Sequence, residues 1–171
     1  MSSFGELATR WTVRLALTGY FIGAGWRSPS SSLSQQRVAR LAWTLGCVFY
    51  LAHVACAFEY FHHWSHSAAQ KSTAKQTAEV TGWHWGGGLY FNYLFAVVWL
   101  ADTVALWLKP PAMSGRRRWP AMAIQAFMWF MVLNATVVFG HGAVRWFGLA
   151  GCSALALRWT YTSARRRANA P

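Results

Sequence analysis

Residues 88–108 read GLYFNYLFAVVWLADTVALWL, and Asp102 is the only charged side chain among them. A helix needs about 20 mostly apolar residues to cross the hydrocarbon core of a bilayer. Two other stretches of the chain also lack Lys, Arg, Asp and Glu, one between Arg40 and Glu59 and one between Arg118 and Arg145. Gaps of this length indicate an all-α, polytopic membrane protein.

The overall composition supports this class. The chain has 171 residues, the length of one domain, and is 55% hydrophobic with only four acidic residues. Its twelve Trp and six Tyr residues belong to types that concentrate at membrane interfaces. A net charge of +12 also suits a nucleic-acid-binding protein. However, the basic residues flank apolar segments and do not cover one soluble face, so we exclude nucleic acid as a partner.

Four segments are predicted to span the membrane as a helical bundle, residues 41–61, 88–108, 120–140 and 143–161. The fourth is the shortest, because its uninterrupted apolar part covers only residues 146–157. The transmembrane domain is therefore predicted to occupy residues 41–161. A cytoplasmic segment precedes it and a basic cytoplasmic tail follows it, residues 1–40 and 162–171 respectively.

The basic residues predict the orientation of this bundle. Thirteen of the sixteen Lys and Arg residues precede the first span, join the second to the third, or lie at the C-terminal end, and the others are Lys71, Lys75 and Arg145. Because basic loops stay in the cytoplasm, both termini are predicted to be cytoplasmic, in a plasma (inner) membrane. The tryptophans agree, with Trp43 at the inner boundary and Trp64 at the outer one.

Residues 6–25 form a second apolar segment near the N-terminus, in which Arg10 and Arg14 precede an apolar run at residues 15–25. A fifth span of that length would be short for a bilayer and would leave both arginines outside. A signal peptide is another alternative, because residues 23–25 are small enough for a cleavage site. We predict a short helix lying in the inner interface, with its basic residues against anionic lipid headgroups.

Five polar side chains fall inside the predicted spans. At a rise of about 1.5 Å per residue they form two layers: His53, Asn92 and Asn134 in the outer half, and Asp102 and Gln125 in the inner half. Ionisable groups at membrane depth are costly and indicate function by default. Two interpretations stay open: interhelical hydrogen bonds that fix helix packing, or a proton or ligand path that uses His53 and Asp102.

Six residues near the outer boundary are candidate ligands for a metal ion such as Fe, Cu or Zn: Glu59, His62, His63, His66, His84 and His141. Glu59, His63 and His66 are spaced i, i+4 and i+7, which places them on one stripe of an uninterrupted helix. The Glu-x-x-His spacing of a di-iron bundle occurs only once, at Glu59 and His62, so a di-iron site is not favoured. The alternative is that these are interfacial aromatic groups bonded to headgroups and loop backbone.

Haem b is less favoured as a cofactor than a metal ion. Ligation by two histidines requires imidazoles at similar depth on facing helices. Only His53 lies well inside the predicted membrane region, and Met131 is the one candidate partner at that level.

These features predict a non-enzymatic subunit or accessory protein whose histidine-rich outer face meets a partner or a metal. In the fourth span, a face of small residues packs either inside the bundle or against another membrane subunit; its members are Gly148, Cys152 and Ala156. Two alternatives come from other classes. One is a membrane redox enzyme that uses the outer histidines, and the other is a small transporter that uses His53 and Asp102.

Overall fold

The computed structural model describes residues 3–27, 32–108 and 118–168, and in these ranges the chain forms six α-helices and no β-strand. The helices are α1 (Ser3–Trp26), α2 (Leu33–Ala57), α3 (His66–Thr81), α4 (Gly88–Leu108), α5 (Arg118–Leu133) and α6 (Ala143–Ala168). One π-helical turn continues α2 (Phe58–His62) and another continues α5 (Asn134–Val138). The all-helical prediction is confirmed.

Each predicted span lies largely within a helix, and the second has the bounds of α4. α2 begins before the predicted start at residue 41, because Ser32 and Gln35 cap its first turn. The Gln35 N–H donates to the Ser32 hydroxyl, and the Ser32 N–H donates to the Gln35 side chain. The predicted domain limits at residues 40 and 161 therefore fall inside helices. Residues 169–171 of the predicted tail lie outside the described residues.

In the described ranges, two helices are long and apolar enough, by length and composition, to cross a membrane. The continuous helix Leu33–His62 has a mean hydropathy of 1.7 and Gly88–Leu108 one of 1.6, whereas Met122–Val138 is apolar but shorter. Large apolar side chains such as Leu45 and Val97 are 54% and 64% exposed. The buried side chains include three polar ones, Asp102, Thr103 and Thr136. Extensive exposed apolar surface of this kind indicates a membrane or protein partner.

α1 packs antiparallel against α2 along its whole length. At one end of the pair Gly5 lies against the ring of Tyr60, and further along Gly19 lies against Gly46. A Cβ atom on Gly19 would stand 2.6 Å from the Gly46 Cα atom, so only glycine allows the two backbones to come this close. Small residues at such a contact let membrane helices gain dispersion energy.

α1 covers the segment that is predicted to form a short helix in the inner interface. A helix that lies flat in the interface crosses a spanning α2 at a steep angle, whereas α1 follows α2 from Gly5 to Gly23. The length of α1 also exceeds that of its apolar run. The helix begins at Ser3 and covers 24 residues, about 36 Å at 1.5 Å per residue. Glu6 and Arg10 form an ion pair of 3.4 Å in its first turns.

Five helices close a ring around one core. α1 contacts α2 and α6, α2 contacts α4, α4 contacts α5, and α5 contacts α6, while α3 lies against α4 and the π turn of α2. In the core, the rings of Tyr20, Trp43 and Trp99 have centroids between 5.4 and 5.9 Å apart. Trp43, which is predicted to lie at the inner boundary, is fully buried against Gly23 of α1.

Replacing Gly19 by alanine should weaken the bundle. The added methyl group would meet the α2 backbone at 2.6 Å, and overpacking of this kind costs about 1–3 kcal/mol. Gly25→Ala is the matched control, because its methyl group would meet only Leu155, at 3.7 Å. We expect a lower melting temperature in detergent for Gly19→Ala, and an unchanged or higher one for Gly25→Ala, since alanine favours a helix. Equal melting temperatures would contradict the α1–α2 contact.

Candidate functional site

A break in the helix separates the outer histidines. α2 widens into the π turn Phe58–His62 and then stops, because His63 and Trp64 have left-handed backbone angles, with φ of 47° and 57°. α3 then begins at His66 in a new direction. The predicted stripe of Glu59, His63 and His66 does not form, because it required an uninterrupted helix.

The six candidate metal ligands have other surroundings. Glu59 accepts a hydrogen bond from the indole N–H of Trp64 at 2.6 Å, and His66 Nδ1 lies 3.1 Å from the Tyr93 hydroxyl. His62 is half-buried, and the other three are exposed, namely His63, His84 and His141. All six belong to the described part of the chain, in which no group of three or more His, Cys, Asp and Glu side chains is arranged to hold a metal ion.

Asp102 is bound by a residue distant in the sequence. Asp102 is 3% exposed, and its carboxylate accepts a hydrogen bond of 2.6 Å from the Arg27 guanidinium. The same guanidinium lies over the Trp43 ring, 4.9 Å from its centroid, in a cation–π contact. The sequence placed Asp102 in one layer with Gln125, which is half-buried on α5. It assigned Arg27 to a cytoplasmic segment, so this partner was missed.

Removing one member of this ion pair should cost more than removing both. Arg27→Met leaves the buried carboxylate without its guanidinium, a change that typically costs about 3–5 kcal/mol. In Arg27→Met/Asp102→Leu both charges are gone and apolar groups fill the space. We expect the melting temperature in detergent to be lowest for the single variant and intermediate for the double one. If the double variant is no more stable than the single one, the loss of stability does not come from an unpaired buried carboxylate.

The outer polar layer lines a single cavity. His53, Asn92 and Asn134 all contribute to its wall, as does Met131, the candidate haem ligand. The cavity has a volume of about 740 Å³ and lies between α2, α4 and the end of α5, with α3 on one side. Pockets for drug-sized ligands typically have about 300–1,000 Å³. The structure therefore brings together three residues that are far apart in the sequence.

His53 is joined to α1 by a hydrogen bond. Its Nδ1 atom lies 3.0 Å from the carbonyl oxygen of Thr9. Because a carbonyl oxygen only accepts hydrogen bonds, Nδ1 carries the proton, and Nε2 of the neutral imidazole is an acceptor. Thr9 was missed in the sequence because a backbone carbonyl carries no residue-type signal.

Two further polar side chains in the wall, those of Asn134 and Tyr50, also donate to the main chain. Asn134 Nδ2 donates to the Phe130 carbonyl at 2.8 Å, and the Tyr50 hydroxyl donates to the Asn92 carbonyl at 3.2 Å. Within the described part of the chain, no hydrogen bond joins the side chains of His53, Asn92 and Asn134 to one another. They share a cavity and do not form a hydrogen-bonded relay.

α3 covers the cavity with hydroxyl and amide groups. The residues of α3 that line it are Ser72, Thr73, Gln76, Thr77 and Thr81. The charged residues of the same helix are exposed and do not line it, namely Lys71, Lys75 and Glu79. The cap is therefore polar but uncharged.

The threonines of α3 form a stripe that the sequence analysis overlooked. Thr73 donates to the Ala69 carbonyl at 3.0 Å, and Thr77 donates to the Thr73 carbonyl at 2.9 Å. Together with Thr81 they are spaced i, i+4 and i+8, so they share one helix face. This spacing is visible in the sequence, and assigning the residues of the outer segment to the faces of a helix would have shown it.

The small residues of α6 pack inside the bundle. Gly148 lies against the side chain of Thr136, in the π turn that ends α5, and Cys152 is 5% exposed within the core. Ala156 is half-buried on the same face. The neighbouring Gly151 lies against the ring of Phe21, which brings α6 onto α1.

Comparison of the chain with protein-family models, with curated proteins and with solved structures gives no match. Fold and site together define a class of protein in physical terms. Within the residues that the structure describes, it is an all-helical bundle with two helices of membrane-spanning length and composition, a buried ion pair, and a cavity without charged lining under a polar helix.

Proposed function

We propose that this chain is a multi-pass integral membrane protein in which α1, α2, α4, α5 with its π turn, and α6 all cross the bilayer. The closed ring with a single core supports this proposal, as do the apolar side chains on its outside. α1 is included because it contacts α2 over its full length, and a helix so placed lies in the same slab of the membrane as its partner.

The α1–α2 contact supports a position of the N-terminus on the outer side. When α2 runs from the inner to the outer side, its antiparallel partner begins on the outer side. Of the sixteen basic residues, eleven are then on the inner side, where cytoplasmic headgroups are anionic, and five are outer: Arg10, Arg14, Lys71, Lys75 and Arg145. Lys109, Arg116 and Arg117, three of the inner residues, lie outside the described residues. We therefore propose an outer N-terminus and a cytoplasmic C-terminus in a plasma membrane.

We further propose a non-enzymatic role, as a subunit or accessory protein. The observation that carries it is that the chain itself engages both ionisable groups of the predicted path, Asp102 through Arg27 and His53 through Thr9. Such bonds fix the packing of membrane helices. They favour a structural role for these residues over proton transport.

The α3 end of the bundle is the surface we assign to a second membrane subunit. Trp64 and Trp83 are 66% and 78% exposed there, next to the exposed His63 and His84. Trp is enriched among the residues that dominate protein–protein binding energy and also at membrane interfaces. A membrane-embedded partner satisfies both preferences at once.

Cysteine labelling in intact cells should test the topology. The native cysteines are buried or half-buried, so a membrane-impermeant maleimide reports mainly on introduced ones. We expect Phe4→Cys and Lys75→Cys to react in intact cells, and Tyr161→Cys to react only after lysis; all three positions are exposed. Reaction of Phe4→Cys only after lysis would show that α1 does not cross the membrane.

Affinity purification in mild detergent should test the accessory role. We expect a second membrane protein at a constant ratio through two columns, and loss of that protein from Trp64→Ser/Trp83→Ser. Trp119→Ser is the matched control, because this residue is 81% exposed and lies at the start of α5, away from α3. A chain that purifies alone, or a partner released equally by the control, would contradict the assignment.

A further inference from the structure

We propose that the cavity between α2, α4 and α5 binds an uncharged lipid whose head carries hydroxyl groups. The site has the volume of a ligand pocket, about 740 Å³. Hydroxyl and amide groups of α3 cover one side of it, apolar side chains line much of the rest, and several of its hydrogen-bonding groups have free acceptor lone pairs. Each of these properties restricts the ligand.

The lining excludes charged ligands. No Asp, Glu, Lys or Arg lines the cavity among the described residues, in a chain with a net charge of +12. Proteins that bind anionic lipid headgroups do so with Lys and Arg. A charged head placed here would lose its hydration without an opposite charge to replace it. The ligand is therefore uncharged.

The hydrogen bonds of the lining select for a donor. His53, Tyr50, Thr73, Thr77 and Asn134 each donate to a backbone carbonyl oxygen. Their remaining lone pairs, on an imidazole nitrogen, three hydroxyl oxygens and an amide oxygen, can accept further bonds. Hydroxyl groups on a ligand supply the complementary donors and can also accept from the N–H groups of Gln76, Asn92 and Trp85, whereas ester and quinone carbonyls only accept. The head is therefore hydroxylated.

The two parts of the cavity fix how such a ligand lies. α3 contributes five hydroxyl and amide groups on one side of the cavity. The other walls combine polar groups such as Asn92 and Asn134 with the apolar side chains of Val54, Ala96, Phe130 and Met131. An acyl chain fits against the apolar side chains, and a polyol head fits under α3. A monoacylglycerol is the simplest molecule with this division.

The experiment uses 1-oleoylglycerol as the probe and methyl oleate as its matched control, which has the same chain without hydroxyl groups. The full chain is purified in a dimethylamine-oxide detergent, because alkyl glycosides have hydroxylated heads and would compete. Native mass spectrometry then counts the molecules bound. We expect one 1-oleoylglycerol per chain, bound at least about tenfold more tightly than methyl oleate. Equal retention of both, or preferential retention of oleoyl phosphatidylglycerol, would overturn the proposal.

Two neighbouring residues of α4 separate the cavity from the lipid-facing surface. Ala96 lines the cavity, whereas Val97 is 64% exposed. We expect Ala96→Phe to fill the site and reduce 1-oleoylglycerol binding at least about tenfold, with Val97→Phe unchanged. Unchanged binding in a folded Ala96→Phe variant would place the lipid elsewhere and overturn the assignment.

A second variant tests the head group and does not alter the core. Thr73→Val/Thr77→Val removes two hydroxyl groups from α3 at nearly constant shape. We expect this variant to bind 1-oleoylglycerol more weakly and methyl oleate with unchanged affinity, so that the ratio of the two affinities falls. An unchanged ratio of the two affinities in this variant would contradict the role of α3. This outcome can be measured even if Ala96→Phe fails to fold. Because binding is measured in detergent, it can succeed while the topology test fails, so the two proposals are separable.

Discussion

The close contact of the α1 and α2 backbones at Gly19 and Gly46 is the constraint on which the polar interactions of the bundle depend. Without side chains in the way, the two helices lie side by side over the whole of α1. This alignment brings Thr9 to His53 in one half of the bundle and Arg27 to Asp102 in the other. His53 thus finds its partner on α1, and Asp102 finds its partner in the residue that directly follows α1, a helix that glycines hold in place.

The distribution of charge follows from the same architecture. A chain with a net charge of +12 has an interior in which one carboxylate meets one guanidinium and the cavity has no charged lining. Unpaired charges inside an apolar bundle are expensive, so the excess of basic residues can be accommodated only where water or headgroups solvate it. The basic rim and the neutral interior are two aspects of one solvation requirement.

The sequence predicts the helices well, because charge-free gaps have a direct physical cause in the solvent that surrounds them. The bounds of α4 coincide with those of the predicted second span, and the start of α2 depends on a serine cap. The position of α1 was not predictable, because its glycines become meaningful only once their partner helix is known. The predicted stripe of outer residues does not form, for a local reason. The chain turns at His63 and Trp64, which have left-handed conformations, and neither residue is the Gly or Asn that usually indicates such a turn in a sequence.

The two π turns have a consequence for how the chain tolerates changes in length. Each turn holds one residue more than an α-helical turn, and each borders the cavity, through Phe58 and His62 in one and Asn134 and Ala135 in the other. Deleting one residue there would convert the widened turn into a regular α-helical turn, so the change in length would be absorbed where it occurs. The cavity wall would lose a residue, while the helix before each turn would keep its packing. These two segments are therefore the places where the bundle can lose a residue most easily, and the effect of the loss would be confined to the cavity.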